Sequence, residues 1–353
     1  MIVHIMILDK FIPPFIDFIE ENFDEKDHIF ILFSVKENKY GLKESSRIVW
    51  VYPDRNLIFF MRWLKFAQKL IFVNFLLYKS KKIIFHGLWD FYSIFLMLLQ
   101  PWLFKKCYWV MWGGDFYFPE EQPWWRRASI RKIKHFVTYI PGDFKYLRVY
   151  YKIRENTYYE CLMYLSNVYN VIETESNVYN DNDYKGEEIY LLVGNSATET
   201  NNHFFIFDKL LSFRDACIKI YVPLSYGDMG YAQKVIQKGK DLFGEKFVPI
   251  TKFLTFEEYI EFLKEIDIAI FAHNRQQAMG NIITLLGMGK KVYMNKYSTS
   301  FQFFSGIGVK VFDVNALNIE KLDFKEANNN SKIIKKYFSY DKLYRQWEVI
   351  LND

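Results

Sequence analysis

Short apolar runs alternate with segments of helical periodicity, and they do so in two separate series along the chain. In the first series the apolar runs fall at 2–8, 29–34, 47–52, 82–86, 106–112 and 136–139. Helical spacing occupies 15–23, entered through Pro13-Pro14, and then 62–78, 92–99 and 125–134. Strand, helix, strand is the unit of a parallel sheet, and its repetition predicts a doubly wound α/β domain. A second series places strands at 189–193, 217–223, 247–250, 268–272 and 291–294, with helices between them. At 353 residues and 51% apolar content, the chain is long enough and apolar enough to build a core in each.

Between the two series the composition turns polar. Ser166-Asn-Val-Tyr-Asn170 recurs as Ser176-Asn-Val-Tyr-Asn180 and is followed by Asp181-Asn-Asp-Tyr-Lys-Gly186, which reads as a linker. The expected organisation is therefore an N-terminal domain over 1–165, a linker over 166–187 and a C-terminal domain over 188–330. A terminal helix over 331–353 is expected to pack back on the first domain, with Tyr337, Phe338, Leu343, Tyr344 and Trp347 as its stripe.

Several classes are excluded. Cys107, Cys161 and Cys217 lie far apart without metal-ligand spacing, so neither a zinc site nor a disulfide framework is indicated. The opening apolar run lacks a basic leader and a small-residue cleavage site, and Asp9-Lys10 ends it. No uncharged apolar run reaches the roughly 18 residues that span a bilayer. The net charge of +5 is uneven: residues 60–160 carry 17 Lys and Arg against 7 Asp and Glu. Basic residues interleaved with aromatics over 61–82 suit an anionic membrane surface, and equally a buried helix with solvated lysines. No nucleic-acid signature accompanies them.

The polar clusters fall on loops after strands, where open parallel sheets bind ligands. In Trp112-Gly-Gly-Asp115 the carboxylate could act as general base toward a hydroxyl or cap the next segment. His86 could orient a phosphate or share proton traffic, or simply close its strand, and Asp90 is placed to cap a helix from Phe91. Gly194-Asn-Ser196 has the form of a phosphate turn, but neither GxGxxG nor the Walker pattern is present. The stretch 271–289 runs from strand through a polar turn into a helix. Unpaired N–H groups there suit an anion, with Arg275 as a cation for a departing diphosphate, although an ordinary connection would look alike.

Taken in order, Phe85-His-Gly, Trp112-Gly-Gly-Asp-Phe-Tyr117, Leu192-Val-Gly-Asn-Ser196, Val222-Pro-Leu-Ser-Tyr-Gly227 and Arg275-Gln-Gln-Ala-Met-Gly280 resemble glycosyltransferase family 56 over residues 80–300. That family includes the 4-acetamido-4,6-dideoxy-D-galactose (Fuc4NAc) transferase of enterobacterial common antigen assembly. The resemblance implies a GT-B fold, two Rossmann-like domains facing across a cleft. It implies metal-independent inverting transfer from a dTDP- or UDP-linked amino deoxy sugar to a polyprenyl-diphosphate-linked glycan. The place would be the cytoplasmic face of the bacterial inner membrane, with the protein peripheral.

Carried over to this chain, Asp115 would be the base, with His86 beside it. Trp112, Gly113, Gly114 and Tyr117, with His86, would bind the acceptor. Gly194, Asn195, Ser196, Pro223, Tyr226, Arg275, Gln276, Gln277, Gly280 and Asn281 would hold the donor. Two departures stand out. Val110 occupies a position where the family has histidine, and Ala278-Met-Gly-Asn281 replaces a Gly-Ile-Gly-Thr run. A GT-B transferase with a soluble or protein acceptor, and a non-catalytic nucleotide-sugar or lipid-diphosphate binding protein, are the alternatives that the residues leave open.

Overall fold

The computed structural model describes residues 1–36, 40–53, 58–153, 157–171 and 188–353. The second copy of the pentapeptide and Asp181-Asn-Asp183 lie outside the described residues. The chain divides into two compact units, Met1–Ser166 with Tyr340–Asp353, and Asn167–Ser339.

The first unit runs β1 (Ile2–Met6), α1 (Ile12–Asn22), β2 (His28–Leu32), β3 (Ile48–Trp50), α2 (Phe59–Lys79), β4 (Lys82–His86), α3 (Phe91–Leu99), β5 (Cys107–Val110), α4 (Trp124–Ile130), β6 (His135–Val137), α5 (Pro141–Tyr150) and β7 (Thr157–Tyr159). Its seven strands pair in parallel in the order β3-β2-β1-β4-β5-β6-β7. The winding starts at β1, proceeds outward through β2 and β3, and resumes on the other side at β4. That reversal leaves the loops after β1 and β4 on either side of a switch point at the C-terminal edge. Helices cover the strands, so the strands read as continuous apolar runs, and Val3, Ile31, Ile83, Phe85, Trp109 and Phe136 form the core.

Prolines in its first turn start α1, where a missing N–H costs nothing, and its inner face buries Ile12, Phe15, Ile16, Phe18 and Ile19. Two elements are not expected from periodicity. Helix α5 opens on Pro141-Gly142, a pair that reads as a break, and buries only Asp143 and Leu147. Strand β7 has three residues, too few to show alternation.

The second unit runs β8 (Ile189–Val193), α6 (His203–Leu210), β9 (Ile218–Pro223), α7 (Met229–Phe243), β10 (Phe247–Ile250), α8 (Phe256–Glu265), β11 (Ile268–Phe271), α9 (Met279–Gly287), β12 (Lys291–Met294), α10 (Thr299–Gly306), β13 (Phe312–Asp313) and α11 (Phe324–Tyr337). Its sheet is again parallel, ordered β10-β9-β8-β11-β12-β13, and reverses between β8 and β11. Leu191, Val193, Ile206, Phe207, Ile220, Val222 and Ile270 are fully buried in its core.

The single terminal helix expected over 331–353 is two helices in the structure. Tyr337 and Phe338 pack on Phe303 in the second unit, and the chain then breaks into α12 (Tyr340–Asn352). Helix α12 belongs to the first unit. Its buried Trp347 donates to the Met163 carbonyl at 3.0 Å, and Lys82 Nζ caps its last turn through the Ile350 and Leu351 carbonyls at 2.6 and 3.1 Å. Tyr344 stacks on Phe23, with ring centroids 5.3 Å apart. The stripe divides because an aromatic pattern specifies burial without specifying which core receives it. Among the described residues no helix is long and apolar enough to cross a membrane.

Candidate active site

In the second unit the site is built on the loops that leave β8, β9 and β11 at the C-terminal edge. Asn201, fully buried, organises the first of them. Its Nδ2 lies within reach of the Ser196 carbonyl at 2.9 Å and the Thr198 hydroxyl at 2.8 Å, while its Oδ1 accepts from the Asn195 N–H at 2.8 Å and lies 2.9 Å from His273 Nε2. The loop must also turn through Gly194 at φ +69°, where a Cβ would lie 2.8 Å from both Asn201 Oδ1 and His203 Nε2. The β9 loop is pinned to it by a bridge between Ala197 and Gly227, and a Cβ on Gly227 would sit 2.5 Å from the Ala197 carbonyl oxygen. Only glycine permits that approach.

On this frame three of the expected donor residues meet. Asn195 Nδ2 donates to the Tyr226 hydroxyl at 2.9 Å, Gln277 Nε2 donates to Asn195 Oδ1 at 3.2 Å, and Thr200 donates to Gln277 Oε1 at 2.8 Å. Ser196 is buried beside Thr198, and Pro223 is buried at the end of β9. Asn281 turns to the Tyr259 hydroxyl of α8 at 2.9 Å. Gln276 is buried, and its Oε1 has no hydrogen-bond partner among the described residues. Arg275 Nη1 reaches the Gln276 carbonyl at 3.2 Å, and its charge helps to lower the pKa of His273 to about 3, after burial as the larger cause.

Helix α9 begins at Gly280's neighbour Met279, after Ala278 at φ +58°, and among the described residues no side chain caps it. Its first-turn N–H groups are therefore available to anion oxygens. Asn201, Thr200, His203 and His273 are site residues that periodicity does not single out. The only sequence signal for them is polarity just past an apolar strand.

In the first unit the corresponding residues follow β1, β4 and β5. Asp115 is fully buried and accepts three hydrogen bonds, from Leu88 N at 3.0 Å, Trp109 Nε1 at 2.8 Å and Trp112 N at 3.1 Å. Burial raises its pKa, with these donors and Arg126 opposing. Arg126 in turn donates to the Leu88 carbonyl at 2.6 Å and lies 5.0 Å from the Trp89 and Trp125 rings. The carboxylate thus ties the loops after β4 and β5 together.

His86 is fully buried and joins a chain of imidazoles. His86 Nε2 lies 3.1 Å from His4 Nδ1, and His4 Nε2 lies 2.9 Å from His28 Nδ1. At the other end His86 Nδ1 is 2.8 Å from the Tyr164 hydroxyl, which accepts from Trp112 Nε1 at 2.7 Å. Burial brings His86 down to about 3 and His28 to about 4, so the chain is neutral. Trp112, His86 and Tyr164 therefore form one wall. Gly113 and Gly114 make the turn beside it, with Gly114 N on the Trp112 carbonyl at 2.8 Å. Tyr117 is turned away, buried with its hydroxyl on Asp143 Oδ1 at 2.5 Å. Asp90 caps α3 through Ser93 N at 2.6 Å, and burial raises it to about 6.

A family model described as 4-alpha-L-fucosyltransferase glycosyl transferase group 56 matches residues 5–338. Among solved structures, a glycosyltransferase from Rickettsia africae is similar at 14% identity with a TM-score of 0.65, covering 99% of this chain and 97% of its own. Sucrose-phosphate synthase from Thermosynechococcus elongatus is similar at 12% identity and a TM-score of 0.67, covering 100% and 98%. HepE from Anabaena, in complex with UDP-glucose, is similar at 12% identity and 0.66, covering 99% of both chains. At these identities the likeness is one of fold, and that fold is GT-B.

Proposed function

The chain belongs to glycosyl transferase group 56 and is a glycosyltransferase, and on that premise we propose that it moves a Fuc4NAc-like 4-acetamido-4,6-dideoxyhexose from a dTDP-sugar to a polyprenyl-diphosphate-linked oligosaccharide, by metal-independent inversion. The observation that carries this reading is the hydrogen-bonded set of Asn195, Tyr226, Gln277 and Thr200 beside the uncapped start of α9. Amide and hydroxyl groups suit the hydroxyl and acetamido groups of a sugar, and the first-turn N–H groups of α9 with Arg275 suit its diphosphate. Gly194 and Ser196 shape the turn that approaches it, Pro223 and Tyr226 flank the base, and Gln276, Gly280 and Asn281 complete the donor site. That HepE was solved with UDP-glucose supports a nucleotide-sugar donor.

His86, Trp112, Gly113 and Gly114 are assigned to the acceptor side, where Asp115 holds the loops and Tyr117 supports them from behind. A lipid-linked acceptor is supported by α2 and the turn after α3. Ile58, Phe59, Phe60 and Ile71 are each at least 70% exposed, Leu99 and Trp102 are exposed nearby, and Lys65, Lys69 and Lys79 share the helix. Apolar side chains that enter the headgroup layer beside lysines that meet anionic lipid make a peripheral membrane face.

A thermal-shift screen of dTDP-, UDP- and GDP-sugars, followed by turnover on a synthetic polyprenyl-diphosphate oligosaccharide with and without EDTA, tests the reading. Stabilisation by a dTDP-amino sugar and EDTA-insensitive transfer with inverted configuration are expected. Equal turnover on water-soluble glycosides would favour a soluble acceptor, and donor binding without transfer a binding protein.

A further inference from the structure

Asp9 stands at the switch point of the first sheet, in the loop between β1 and α1 and opposite the His86-Gly87-Leu88 loop that leaves β4. Its Oδ1 is buried and has no hydrogen-bond partner among the described residues. A buried carboxylate oxygen without a donor is costly to keep, which makes it conspicuous where a ligand is expected. Two carboxylates on the loops after β4 and β5 are occupied otherwise: Asp115 accepts three N–H groups, and Asp90 caps a helix.

The setting of Asp9 suits a polar reactant held against aromatic walls. Next to it, the Phe11 ring lies 6.0 Å from both Trp112 and Tyr164, edge-on to the first and stacked on the second. Tyr164 feels the charge of Asp9 as well as that of Asp115. Burial raises the Asp9 pKa, opposed by Lys10 and by the backbone N–H groups of Phe11 and Lys10. A carboxylate so placed is more basic than an exposed one and remains able to accept a proton.

We infer that Asp9 is the catalytic base of the transfer, and that Asp115 is a positioning residue that holds the loops around it. The inference rests on the transferase reading above. In the step, Asp9 Oδ1 takes the proton of the acceptor hydroxyl while that oxygen's electron pair forms the new bond to the anomeric carbon. The bond from the anomeric carbon to the diphosphate oxygen breaks, and its electron pair leaves with the nucleoside diphosphate. Sequence reading passes over Asp9, because an Asp-Lys pair after an apolar run looks only like the end of a strand.

The test uses the full chain, with dTDP release from a dTDP-amino sugar in the presence of a synthetic polyprenyl-diphosphate oligosaccharide. Asp9→Asn is expected to lower kcat by roughly 10²- to 10⁴-fold, with dTDP raising its melting temperature as much as it does for the wild type. Asp9→Ser, run alongside, gives the same reading should the asparagine variant fail to fold. Asp115→Asn is expected to lower the melting temperature together with the rate. Turnover by folded Asp9→Asn or Asp9→Ser within about threefold of the wild type overturns Asp9 as base and leaves the transferase reading standing. A wild-type protein that releases no nucleotide from any dTDP-, UDP- or GDP-sugar overturns the transferase reading, and the role of Asp9 falls with it.

Discussion

Ala278 holds a backbone conformation that a side chain resists. Its φ of +58° lies in the left-handed region, at the position before α9, where a Cβ meets its own carbonyl group. Glycine would adopt this conformation without the strain that the Ala278 side chain imposes. Ala278→Gly should therefore raise stability by roughly 0.5–1 kcal/mol, the relief of strain being partly offset by the greater freedom of glycine in the unfolded chain. Denaturant unfolding of the two proteins checks it, and a lower midpoint for the glycine variant would refute it. Asn201 lies at the opposite extreme. Its amide serves both sides of the Gly194–Asn202 loop from a fully buried position. Asn201→Ala should leave at least the Asn195 N–H and the His273 ring without their acceptor, at a cost of about 2–4 kcal/mol. It should also weaken donor binding by at least tenfold in calorimetry. An unaltered melting temperature would show that water replaces the amide.

Among the elements, α2 is distinguished by what it leaves uncovered. It has 21 residues, of which Phe66, Val73, Leu76 and Leu77 are buried, while several of its large apolar side chains face outward. Folding alone does not require those residues, since a helix needs only one apolar face toward its sheet. Phe59→Asp with Phe60→Asp should therefore leave the melting temperature within a few degrees. The pair should abolish flotation with phosphatidylglycerol vesicles, and the wild type should bind phosphatidylcholine vesicles much more weakly. Unchanged flotation by the double variant would remove α2 from the membrane-binding face. Strands β1 and β8 show the complementary case. Each lies inside its sheet, and each is followed by the loop that carries a site, so a change in either strand should disturb stability and ligand binding together.

For the molecule as a whole, pH sensitivity follows from the histidines. His4, His28, His86, His203 and His273 are buried, five of the six in the chain. Burial lowers the pKa of each, to about 3 for His86 and His273 and to about 4 for His28 and His203. The unfolded chain, with histidines near their ordinary value of about 6.5, binds protons that the folded chain does not. Stability from these groups is thus present above pH 6.5 and is lost as pH falls toward 4. Asp90, raised to about 6, and Asp9 and Asp115, also raised by burial, act in the opposite sense: their folded forms hold protons that the unfolded forms release, so their contribution to stability is lost as pH rises from about 4 through their folded values. Five histidines with lowered values outweigh these three carboxylates. The melting temperature should fall by several degrees between pH 7 and 5, and a rise over that interval would contradict the burial of the imidazoles.

Two series of strands and helices determined two parallel α/β units, because a period of two or a continuous apolar run and a period of 3.6 are local properties that the chain writes residue by residue. The loops after the strands, and the place of Gly194, Asn195, Tyr226 and Gln277 on them, were legible for the same reason. Tertiary structure alone decided which loop residues touch. It drew Thr200 onto Gln277 and Asn201 onto His273, and it sent Tyr117 and Asp115 inward, to where protein donors satisfy their polar atoms. It also divided the terminal aromatic stripe between two cores and left Asp9 Oδ1 without a hydrogen-bond partner among the described residues. Hydrogen-bond partners and burial depend on residues distant in sequence, and no local pattern records which of two carboxylates near the same sheet edge has its oxygens satisfied by distant N–H groups, as Asp115 has.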